Sequence, residues 1–123
     1  MADVKGIGSI GEKLAREHLE KEGYAIITTN WRYGRHEADL IAYYEGILVF
    51  VEVKTRTNTE CGEPEELVTR DKQRGYIRLA NAYIIQHQRE EEVRFDVISI
   101  IIGPTDFQLK HIANAFDAIG LYL

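Results

Sequence analysis

FVEVKTR, residues 50–56, places a glutamate and a lysine in a segment that otherwise reads as buried strand. An apolar run ends at Glu52, Val53 follows it, and Lys54 comes next. Two opposite charges in such a strand mark either a solvated sheet face or a site. The segment upstream decides between them. HEADLIAYY (36–44) and ILVFVEVKT (47–55) flank Glu45–Gly46, and both read as strands. With Glu45–Gly46 as a two-residue turn, Tyr44 opposes Ile47, Tyr43 opposes Leu48, Ile41 opposes Phe50, Asp39 opposes Glu52 and Glu37 opposes Lys54. Side chains alternate along a strand, so the last four of these pairs share one face. The other face, with Leu40, Ala42, Val49, Val51 and Val53, is apolar and calls for a covering helix.

Opposed residues in an antiparallel pair have Cβ atoms roughly 4.5–5.5 Å apart, where like charges repel. Asp39 against Glu52 is such a pair. Partial burial leaves two remedies: one carboxyl keeps a proton, or a cation lodges between them. Mg²⁺ is one such cation, since it takes oxygen ligands. A salt-bridge ladder of Glu37, Asp39, Glu52 and Lys54 on a solvated face is the competing reading.

Around this hairpin the chain reads as α-β-β-β-α-β-β, helices on a mixed sheet. A helix is expected from about Ser9 to Glu22, with Ser9 and Glu12 in a capping-box pattern and Gly23 as its stop. YAIITTNWRY (24–33) is the first strand. RTNTECGEPEE (56–66) is a polar loop, and a long helix runs from about Val68 to His87. VRFDVISIII (93–102) and FQLKHI (107–112) complete the strands, with NAFDAIGLYL expected as a short helix or turn.

The 123 residues suit one domain. No apolar run approaches the about 18 residues of a membrane span, and MADVKGIGSIGEK is too polar for a secretory signal. Cys61 is alone, which rules out an internal disulfide and points to the cytoplasm. A net charge of −5 argues against a protein that coats nucleic acid indiscriminately. The charge is uneven, however, with EEEV at 90–93 acidic and RDKQR at 70–74 basic.

Asp39 in EADLIA followed by Glu52-Val53-Lys54 resembles the PD-(D/E)xK nuclease superfamily. GSIGEKLA, HEADLIA, FVEVKTR, RFDVI and HIANAF, in that order, are similar to the YraN-like family of small bacterial proteins. The likeness runs from about Gly8 to Phe116. It implies a restriction-endonuclease-like α/β fold and kinship with archaeal Holliday-junction resolvases, whose early helical glutamate corresponds to Glu12. His36 departs from the pattern, standing where the family usually has glycine, and Ala38 replaces a bulky aliphatic residue.

Under that resemblance Asp39 and Glu52 bind Mg²⁺ or Mn²⁺, with the Val53 carbonyl, Glu12 and Glu37 as further candidates. Lys54 stays an ammonium that orients water or stabilises the charge on phosphate. Arg56, Lys72 and Arg32 are candidate nucleic-acid contacts, Lys72 because it opens a helix, whose N-terminus attracts anions. Trp31 and Tyr33 are more readily core than base-stacking. Asp96 is expected to pair with Arg94, and His111 and Asn114 to be structural. DNA is the favoured partner, branched or damaged DNA above all, and a homodimer would suit a two-fold junction. The alternative is a binding or interaction module that keeps the fold without turnover.

Overall fold

The computed structural model describes residues 4–57 and 68–117. Cys61, most of the polar loop and the C-terminal GLYL lie outside the described residues. The elements are α1 (Val4–Lys21), β1 (Ala25–Tyr33), β2 (His36–Tyr44), β3 (Ile47–Arg56), α2 (Arg70–His87), β4 (Glu92–Ile102) and β5 (Phe107–Phe116). The five strands form one sheet in sequence order, antiparallel except for β3–β4. That parallel pair needs a crossover, and α2 supplies it. The result is consistent with a restriction-endonuclease-like fold.

Glu45 and Gly46 both have positive φ, 48° and 82°, as a tight hairpin turn of the primed type requires. The expected register follows from Tyr44–Ile47 to Leu40–Val51. Each sheet face has its own helix. Ala15 and Leu19 of α1 pack with Leu40, Ala42, Val49, Val51, Ile98 and Ile100. On the other face Tyr76, Leu79, Ala80 and Tyr83 of α2 cover Ala38, Ile41, Leu48, Phe50 and Phe95. Trp31 joins this second core edge-on to Tyr83, with ring centroids 5.1 Å apart, while Tyr33 is 44% exposed.

Two boundaries differ from the sequence reading by more than two residues. Helix α1 starts at Val4, so Ser9 lies inside it and is no N-cap, and Glu12 is an interior residue. Glycines 6, 8 and 11 weaken the local helix signal, yet the helix continues because α1 is held against the sheet. At Gly11 the approach is close enough that a Cβ would lie 1.8 Å from Thr55 Oγ1. Strand β5 also runs four residues further than expected, to Phe116.

Asp96 accounts for that extension. Its buried carboxylate accepts from Arg94 Nε and Nη2, both at 2.8 Å, and from the Asn114 backbone N–H at 3.0 Å. Asn114 has φ 53°, and the β4–β5 register shifts between Phe95 and Val97. The carboxylate thus satisfies an N–H that a bulge removes from the ladder. His111 Nε2 lies 2.8 Å from the same carboxylate, and His111 Nδ1 lies 3.1 Å from His18 Nε2 on α1. An ionised carboxylate only accepts, so His111 donates through Nε2, and one proton is shared between its Nδ1 and His18 Nε2. Arg94 also donates to the Tyr24 hydroxyl at 2.6 Å, and Tyr24 stacks on Tyr44 at 4.0 Å. The RFDVI and HIANAF segments are therefore structural in this chain, joining β5 to β4 and α1.

Asp96→Ala leaves Arg94 without its carboxylate and Asn114 N–H without an acceptor. A loss of about 3–5 kcal/mol in chemical denaturation is expected. On the α2 face, a Cβ at Gly75 would lie 2.3 Å from His36 Nδ1. Gly75→Ala is therefore expected to destabilise the protein when His36 is present. In a His36→Ala background it stabilises instead, by up to about 1 kcal/mol, as alanine does in a helix. A double-mutant cycle in urea reads the coupling.

Candidate metal centre

Pairing of β2 with β3 ends at Leu40–Val51 although both strands continue. Alternation along β2 slips at the same place. Ala38 packs toward α2, and Leu40 packs toward α1. Asp39 between them points across the parting strands, and its Oδ2 accepts the Val53 N–H at 2.8 Å. A side chain thus takes the place of the missing ladder partner. Within a strand a residue's N–H and C=O point to the same side, so the Val53 carbonyl faces this gap too.

Glu52, on the adjoining stretch of β3, is only 3% exposed. Its Oε1 accepts from the Tyr76 hydroxyl of α2 at 2.8 Å. Its Oε2 is buried and has no aligned hydrogen bond. Two ammonium groups reach that oxygen as charges, Lys54 Nζ at 3.3 Å and Lys72 Nζ still closer. Asp39, Glu52, Lys72, Tyr76 and His36 line one open cleft of about 470 Å³ between α2 and the β2–β3 strand ends.

The two carboxyls divide their charge unequally. Burial raises the Asp39 pKa, and the charge of Glu52 and a hydrogen bond to it raise it further, to about 8, against the pull of the Val53 N–H. Burial would raise Glu52 as well, but the Asp39 proton, the Lys72 ammonium and the Tyr76 hydroxyl outweigh it and hold Glu52 low. Lys72 is raised: burial works against its charge, and Glu52 more than compensates. Asp39 is therefore the carboxyl that holds its proton longer, and Glu52 the one that ionises first.

Glu37 does not face Lys54. The slip at Asp39 turns it toward Asn30, whose amide donates to Glu37 Oε1 at 3.1 Å and to Glu12 Oε1 at 3.0 Å. Arg32, largely exposed, also binds Glu37, at 2.7 Å. The acids thus form two groups, Asp39 with Glu52 and Glu12 with Glu37 across Asn30, and Glu37 lines the same cleft as the first pair. Glu12 still acts on Asp39 through its charge. Arg56 closes β3 half-buried. Lys72 turns inward from the first turn of α2 to Glu52 and stays 40% exposed.

Asn30, Tyr76 and the inward course of Lys72 escaped the sequence reading. Thr69 caps α2 and accepts from the Lys72 N–H at 3.2 Å. Lys72 occupies the third helical position, and Tyr76 stands one turn later on the same face, a spacing that could have linked both to the cleft.

Among the described residues no three His, Cys, Asp or Glu side chains converge as a metal cage. A Mg²⁺-type ion needs less, usually one or two carboxylates with water and substrate oxygens completing the shell. Asp39, Glu52 and the Val53 carbonyl fit that requirement, and the buried Oε2 without an aligned hydrogen bond is a ready ligand atom.

Residues 11–100 match the profile of the uncharacterised protein family UPF0102. A UPF0102 protein of Flavobacterium johnsoniae is 42% identical over 120 residues, spanning 94% of this chain and 98% of the relative. Another, from Bacteroides thetaiotaomicron, is 43% identical over 116 residues, spanning 94% and 96%. One from Caldanaerobacter subterraneus is 41% identical over 116 residues, spanning 91% and 95%.

The proton on Asp39 gives a pH signature. Asp39 ionises near 3.8 when unfolded and near about 8 when folded. Its contribution to stability is complete below the unfolded value and is lost as pH rises through the folded one. In chelator-treated protein, Asp39→Asn keeps a neutral group that can accept from Val53 and donate to Glu52. Its melting temperature is expected to gain on that of the wild type from about pH 5 to about pH 8. Parallel profiles would contradict the assignment.

Proposed function

The chain belongs to the UPF0102, or YraN-like, family, and for it we propose a metal-dependent nuclease-like activity on nucleic acid, hydrolysing phosphodiester bonds, with DNA favoured. The observation that carries this reading is the Asp39 carboxyl set between parting strands beside a buried Glu52, both lining a cleft that Lys72 also lines. Asp39, Glu52 and the Val53 carbonyl would hold Mg²⁺ or Mn²⁺. Such an ion, when bound, polarises the phosphate and makes water easier to deprotonate.

The chain's own residues supply the rest. Tyr76 fixes Glu52 through Oε1 and leaves Oε2 to the two ammonium groups. Lys54, rooted in the sheet beside Glu52, holds a cation where a phosphate oxygen gains negative charge. Asp39 must lose its proton to become a ligand, so metal affinity should rise with pH. The Glu12–Asn30–Glu37 group adds negative charge beside the pair.

A binding module without turnover is the second reading. It draws on the self-sufficiency of the pair, where one proton and two ammoniums already offset both acids. Two measurements separate the readings. Mn²⁺ is expected to raise the melting temperature of the wild type by several degrees and that of Glu52→Ala much less. Labelled duplex, single-stranded and four-way-junction DNA are then incubated with Mn²⁺ and compared with Lys54→Ala. Cleavage that needs Lys54 supports the nuclease. Binding with no cleavage of any substrate supports the module.

A further inference from the structure

Glu52 is buried, and the two cations that reach its Oε2 are anchored differently. Lys54 lies two residues along the same strand, so its backbone is fixed in the sheet. Lys72 arrives from the first turn of α2 and remains 40% exposed, with its stem at the cleft mouth. Its position is unfavourable for the helix itself. Thr69 is the N-cap and Lys72 stands three residues on, where a capping box would place glutamate or glutamine. A cation there also opposes the helix dipole. The contact with Glu52 offsets both disadvantages.

We propose that Lys72 occupies the cation position beside Glu52 as a placeholder, which a divalent metal must displace, freeing the ammonium to meet a phosphate at the cleft mouth. The inference rests on the metal-dependent reading of the Asp39–Glu52 pair and adds a positioning residue to it. A divalent ion on Oε2 competes with the ammonium in closest contact with that oxygen, because the like charges repel at close range. Lys54, held by the strand, can keep its place nearby. Lys72, on the helix, is the more exposed of the two, at 40% against 31% for Lys54. Metal binding and phosphate binding are thereby linked, since the lysine becomes available only when the metal arrives.

Calorimetric titration of Mn²⁺ into metal-free wild type, Lys72→Met and Lys72→Gln tests this without any measure of cleavage. Both variants are expected to bind Mn²⁺ about tenfold more tightly than the wild type, because no ammonium has to leave. Their metal-free forms should melt lower than the wild type, and saturating Mn²⁺ should give them the larger upward shift. Wild type that binds Mn²⁺ while folded variants bind no more tightly would overturn the placeholder and leave the metal site standing. Silence from all three proteins would remove the metal site and the placeholder together.

A measurement on the unaltered protein covers the case in which the variants fail to fold. The Lys72 ε-methylene resonances are followed by NMR during Mg²⁺ titration. They are expected to move from the values of an ammonium held at a carboxylate toward those of a free lysine. Saturation with Mg²⁺ that leaves them unchanged would overturn the proposal.

Discussion

A carboxylate removed from water must find compensating charge, and Glu52 imposes that demand on the elements around it. Transfer of an isolated ion into the protein interior is far costlier than loss of a neutral hydrogen bond. Three elements answer. Strand β3 brings Lys54, α2 brings Lys72 and the Tyr76 hydroxyl, and β2 brings an Asp39 that keeps its proton. The same interactions fix the seating of α2 over the sheet at its N-terminal end. Hydrophobic packing of Leu79, Ala80 and Tyr83 orients the rest of the helix.

The end of the β2–β3 ladder makes the arrangement open to chemistry. Had the strands stayed paired past Leu40–Val51, the Val53 N–H and C=O would have been used up in the ladder. The Asp39 side chain instead takes the N–H, leaving the carbonyl on the same edge. Divergence, more than the identity of any one residue, turns two opposed acids into a cleft. Asp96 plays a comparable part on the α1 side, where a buried carboxylate replaces a lost backbone partner at a bulge. The two acids differ in what surrounds them. An arginine and a histidine enclose Asp96, whereas Asp39 faces a cavity.

Alternating hydrophobicity and one turn were enough to place the hairpin, its register and the approach of Asp39 to Glu52, because a two-residue connection leaves little freedom in pairing. The Glu37–Lys54 pair failed for a reason that no count of residues contains. The strands separate at Asp39, and beyond that point the register extrapolates a ladder that is no longer there. The start of α1 was misplaced because glycine lowers helix propensity locally, while the contact that maintains the helix, Gly11 on Thr55, is distant in sequence. The inward course of Lys72 depends on Glu52, which lies on another element. Local signals located the elements; contacts between elements decided where charged side chains point.

The bulge at Asn114 has a consequence for the margin of the sheet. β5 is an outer strand, and an outer strand offers free backbone groups to any chain that can lie beside it. A left-handed residue pinned by Asp96 breaks that row of groups into two lengths with mismatched spacing. A straight incoming strand could follow Phe107–Ile112 but would lose step before Phe116. On that edge the register is interrupted by the same carboxylate that holds the strand in place.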